Sequence, residues 1–218
     1  MQAYLSSSSF YDYDDAGIQA FSDKLIKNGM SDLEKAVALY YGVRDGVAYN
    51  PYVFDMAEHA FKASYCLDQG QSYCIPKAVL LGAVCRLNGI PARLGLADVR
   101  NHLSSPGLVE WLKTDIFVMH GFIELYLEGQ WVKATPAFDA KLCARMGVAP
   151  LEFNGKDDSI FHEYNGAGAR HMEYLKEHGT FEDVPFQKIV DSLAEAYPHL
   201  QGTLHLREGQ SMSLGAND

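Results

Sequence analysis

Apolar residues recur at helical spacing in several stretches up to Gly89, and at strand spacing between Ala92 and Asp139. The pattern predicts a helix over 16–27, ended by Asn28-Gly29. Ser31 with Glu34 three residues on is a capping box, which opens a second helix from 32 to about 43. Residues 56–67 make another helical stretch. The most apolar helix follows a polar, glycine-containing loop: it starts at Cys74, has Pro76 in its first turn, and runs to Asn88-Gly89. Strands are predicted over 92–101, 115–129 and 130–139, with Glu128-Gly129 as a hairpin turn. Short helices are predicted over 140–147 and 186–197.

Helices first and strands second favour α+β, helices packed on an antiparallel sheet, over alternating βαβ units. The first fifteen residues read as an extended arm or early edge strand. The stretch 154–181 has four glycines and no clean period. We expect one domain overall, a core over 1–140 with residues 141–218 wrapped on it as an extension.

Composition narrows the partners. Of 218 residues, 48% are hydrophobic and 21% charged, enough to bury a sizeable core. The net charge of −10, with only 18 Lys and Arg and no basic run, argues against nucleic acid. No stretch nears the roughly 20 apolar residues of a membrane span. The first residues have neither the positive nor the apolar region of a secretory leader. The cysteines at 66, 74, 85 and 143 form no CxxC pair and no dense disulfide framework. A reducing, cytoplasmic setting is expected.

Cys74 is the chemical candidate. At a helix start it meets unpaired N–H groups and the positive end of the dipole, which favour thiolate. Cys85, mid-helix among Leu81, Val84 and Leu87, reads as a core residue. Acyl transfer by a thiol needs an imidazole within hydrogen-bond reach, and His120, in the strand IFVMHGFIELYL, is the best one.

Together, GQSYC followed by a helix and RLNGIPAR, then HGFIELYLEGQWV, resemble the transglutaminase-like superfamily from about Leu39 to Asp139. The resemblance implies a papain-like core, Cys74 as nucleophile, His120 as base and an acidic residue orienting the ring. This chain departs at that third position, where Thr135 stands in the place expected for aspartate. A hydroxyl can orient an imidazole but cannot offset imidazolium charge. If the Glu128-Gly129 turn pairs Leu127 with Gln130, His120 lies opposite Ala137, with Thr135 and Asp139 as diagonal neighbours on the same face. Asp139 is then the first orienter to consider and Thr135 the next. Glu124 shares that face and reads as a solvent-side carboxylate. The backbone N–H of Cys74 is the expected oxyanion donor, ahead of Gln69 or Gln71.

His162, His171 and His178 with Glu163 and Glu173 could be drawn as a metal site, but no HExxH occurs and Gly166 and Gly168 interrupt them. No metal or cofactor is expected. The expected activity is hydrolysis, or transfer, of a small-molecule or peptide acyl group through a Cys74 thioester. Two alternatives stand beside it: a binding module that has lost the triad, and a metal-dependent hydrolase using the C-terminal histidines.

Overall fold

The computed structural model describes residues 1–161 and 171–200. Helix α1 (Ala16–Leu25) starts on Asp15, whose carboxylate accepts the Gly17 and Ile18 amides. Helix α2 (Asp32–Gly46) opens on the expected Ser31/Glu34 capping box and runs one turn past its predicted end. The stretch expected as one helix over 56–67 is broken: a 3-10 turn (Glu58–Phe61) precedes α3 (Ala63–Gln69). The break has a tertiary cause, because the Ala63 amide donates to the Phe10 carbonyl, 2.9 Å away, rather than continuing a helix. Short strands β1 (Ala48–Tyr49) and β2 (Gln71–Ser72) pair in parallel. Helix α4 (Cys74–Leu87) is buried from Cys74 through Arg86. A helix buried on every side, apolar but for Lys77 and Arg86, belongs at the centre of the fold.

Strands β3 (Ala92–Asn101), β4 (Ile116–Leu127), β5 (Gln130–Ala134) and β6 (Met172–Phe181) form the main sheet in the order β5-β4-β3-β6, every neighbour antiparallel. The α+β class is as expected. Leu127 pairs with Gln130 across Glu128-Gly129, and both turn residues have positive φ. Between β3 and β4 lies α5 (Pro106–Leu112), unanticipated and capped by Ser105. Strand β5 stops before Thr135 and Pro136, leading to α6 (Ala140–Met146); α7 (Phe186–Ala196) follows β6.

The arm at the N-terminus is a 3-10 turn (Gln2–Leu5) and irregular chain, not an edge strand. The sheet edge beside β3 is instead β6, from the stretch that showed no period. Its exposed residues are mostly polar, Leu175 excepted, so no apolar alternation marked it. Just before His120 the ladder between β3 and β4 slips, and Met119 adopts a left-handed φ of 59°. Asp98 pins this bulge: its carboxylate accepts the Met119 amide and lies 2.7 Å from His178 Nε2.

Candidate active site

Cys74 is the first residue of α4, and Tyr73 before it supplies no side-chain cap. The backbone amides of Gly121, Ile75 and Cys74 itself stabilise the sulfur's anion. Gly121 makes this approach possible. A Cβ there would lie 2.8 Å from the Ile75 Cα, so only glycine lets β4 touch the helix start. The residue before that glycine is His120, so the strand that carries His120 is the one that touches the start of α4.

Both are buried, Cys74 with 9% and His120 with 4% of its surface exposed. Burial pushes the Cys74 thiol up to about 11, against the three amides, and pulls the His120 imidazole down to about 4. The helix start therefore does not deliver a resting thiolate. Its dipole contributes less than the loss of water around the sulfur, and the free pair is a neutral thiol and a neutral imidazole. Among the described residues no hydrogen bond joins them. The His120 ring packs on Phe161, with centroids 5.9 Å apart, and its Nε2 is buried without a partner.

The third position is occupied otherwise than expected. Asp139 caps α6: one carboxylate oxygen accepts the Leu142 amide at 2.9 Å, the other the Tyr49 amide at 2.9 Å. Its oxygens hold backbone together, and it makes no hydrogen bond to His120. The pairing of β4 with β5 keeps the predicted register, which continued past Ala134 leaves Thr135 on the His120 face. The Thr135 hydroxyl is buried without a partner, like His120 Nε2. The Tyr174 phenol, on β6, comes near it. Burial raises Tyr174 to about 12, while the Phe161 backbone and the Thr135 hydroxyl lower it, although its Oη makes no hydrogen bond of good geometry. Nothing in the sequence singled out Tyr174.

Glu124 is not at the solvent side. It is buried and bound by Arg93, 2.6 Å away, which also lies over the Trp131 ring at 4.1 Å. Gln71 accepts from the Asn50 side chain. His178 pairs with Asp98, Glu173 pairs with Arg100 and His102, and the His171 ring packs on Phe161; His162 and Glu163 fall outside the described residues. Among the described residues no group of three His, Cys, Asp or Glu could hold a metal. All four cysteines are free.

Cys74 also lines a cavity with Tyr49, Tyr73 and Ile75. It opens between α5 and α7, elements the sequence did not connect with the thiol.

Residues 19–136 match the family described as the transglutaminase-like superfamily. No curated protein matches the chain significantly. Among solved structures, similarity is found to a protein from Cytophaga hutchinsonii described as a "putative cysteine protease", with 17% identity and a TM-score of 0.47, covering 82% of this chain and 53% of that one. A "putative protease" from Parabacteroides distasonis follows, with 15% identity and a TM-score of 0.40, over 62% of this chain and 24% of that one. The chain thus spans about half of the first structure's length and about a quarter of the second's.

Proposed function

The chain belongs to the transglutaminase-like superfamily, and from that premise we propose that it is a cysteine enzyme of acyl transfer, with Cys74 as nucleophile and His120 as acid and base. The observation that carries this reading is the thiol at an uncapped helix start, against the Gly121 amide, one residue from a buried histidine.

In the free protein the proton sits on sulfur. As Cys74 attacks an acyl carbon, that proton passes to His120 and the S–C bond forms. The backbone N–H at the helix start donates to the developing oxyanion. The C–N or C–O bond then breaks, and His120 returns the proton to the leaving group. Water attacks the thioester with its proton going to His120; the S–C bond breaks, the acid leaves, and sulfur recovers a proton. An amine could replace water. Hydrolysis is the preferred outcome, since an amine acceptor needs a second binding place. Thr135 is the orienter that best fits the face and burial of His120, because Asp139 spends its oxygens on backbone amides.

The reading as a binding module draws on the same neutral pair and missing aspartate. The two are separated by intact mass after exposure to activated esters and amides: an acyl adduct that maps to Cys74 and decays with turnover supports the enzyme. Saturable binding with no adduct and no product would select the module.

A further inference from the structure

We propose that the acyl group brought to Cys74 is apolar and of arylalkyl size, held in the cavity between α5 and α7. This rests on Cys74 being the nucleophile. The cavity has an empty volume of about 450 Å3 including its mouth, and the thiol forms part of its wall. Helix α5 contributes Trp111 and Leu112, β4 contributes Phe117 and Val118, and α7 contributes Leu193, with Tyr197 just past its end. Among the described residues no charged side chain lines it.

One of its polar groups is already spent. The Tyr197 hydroxyl donates to the Ile116 carbonyl at 2.9 Å and accepts the Val118 amide at 2.8 Å, which also fastens α7 to β4. A carboxamide or charged group inserted here would exchange water for mostly aromatic carbon, with little beyond the unpartnered Tyr73 phenol to meet it. An aryl ring or branched alkyl chain loses nothing by entering and exchanges water for apolar wall. Placed there, it sets its carbonyl carbon at the start of α4. The chain thus selects its substrate by the part that becomes the thioester. Helix α7, from the stretch following the main strands, becomes a wall of the substrate site.

Two measurements on the full chain test this. In the Cys74→Ala protein, calorimetry with 3-phenylpropanamide, propanamide and N-acetylglutaminamide reads the cavity without chemistry. Binding of the first should be tighter than either other by on the order of 30-fold, and weakened about tenfold by adding Leu193→Trp or Leu112→Trp, which fill the space; both variants are checked by thermal melting, and either one that stays folded suffices. In the unsubstituted protein, p-nitrophenyl 3-phenylpropanoate should acylate Cys74 with kcat/KM on the order of 100-fold above the acetate. Equal acylation of Cys74 by the two esters, or preferential binding of the glutamine amide, overturns the inference and leaves the nucleophile standing. Selective binding of the phenyl compound with no acylation of Cys74 by either ester removes the nucleophile and not the cavity's preference.

Discussion

Cys74 and Lys77 sit in the same first turn of α4, yet their surroundings treat buried polar atoms in opposite ways. Lys77 is fully buried, and its ammonium donates to the carbonyls of Arg44 and Val47, closing the end of α2. Asp139 nearby fills both oxygens with backbone amides, and Arg44 donates to the Leu151 carbonyl while pairing with Asp45 and Glu152. On the Cys74 side, His120 Nε2, the Thr135 hydroxyl and the Tyr73 phenol are buried with no hydrogen-bond partner among the described residues. Unpartnered buried groups are destabilising and rare. Where they gather around a nucleophile, they fit a site whose last partners arrive with the substrate. On the proposed reading, the satisfied side is structural and the unsatisfied side is chemical.

Four substitutions or titrations would break or sharpen that contrast. The largest effect belongs to Cys74→Ala, expected to lower kcat/KM for any confirmed acyl substrate by at least about 10³-fold, with a melting temperature close to that of the parent. Undiminished turnover would end the reading of this side as chemical.

Lys77→Ala should do the reverse. It leaves two carbonyls unpaired and a cavity behind, for a loss on the order of 3 kcal/mol in urea unfolding. The ammonium is no simple gain, since burial lowers its pKa to about 8 against the attraction of Cys66, Asp139 and Asp45. Methionine in its place should therefore be milder than alanine. If alanine left stability intact, the two halves of the turn would not differ as described.

The neutral pair gives the next effect, read by pH. Burial holds His120 at about 4, below its ordinary unfolded value of about 6.5. The unfolded chain takes up the proton first as pH falls. This group's contribution is thus complete above pH 6.5 and is lost as pH falls through 4, by about 3 kcal/mol. Denaturant melts at pH 4 and 7 should differ by less in His120→Gln by that amount. In parallel, alkylation of Cys74 by iodoacetamide, mapped by mass, should keep rising with pH toward 11. A plateau near neutral pH would mean a resting thiolate.

Much of this was readable beforehand because the relevant signals are local. The Ser31/Glu34 box, the glycine turn after Glu128 and the strand over 92–101 each carry their own information, and each appears where expected. The hairpin register followed from one turn length. What could not be read depends on chain segments far apart. The helix expected over 56–67 breaks because a distant Phe10 carbonyl takes the Ala63 amide. Strand β6 is mostly polar, so its place on the sheet edge left no period. The thiol's pKa inverted for the same reason: the dipole belongs to the helix itself, whereas the desolvation that overrides it comes from β4, Tyr49 and Tyr73 closing over it. Asp139 shows parity at its limit, since reach along a face does not reveal that two amides already hold the carboxylate.

The smallest effect is the most diagnostic, because Thr135 lies on the chemical side and does no structural bonding through its hydroxyl. Thr135→Val keeps the shape and removes one orienting group, for an expected loss of about tenfold in kcat with KM nearly constant, the size of one neutral hydrogen bond. Thr135→Asp restores a carboxylate on the His120 face. An adjacent negative charge favours imidazolium, so it should lift His120 above 4 and carry the acid limb of the rate profile upward with it. The same change should shrink the acid destabilisation, because the folded and unfolded pKa values draw together. Packing alone predicts none of these shifts. An acid limb that stays in place in the aspartate variant, with kcat unaltered in the valine one, would mean that His120 is oriented by something else.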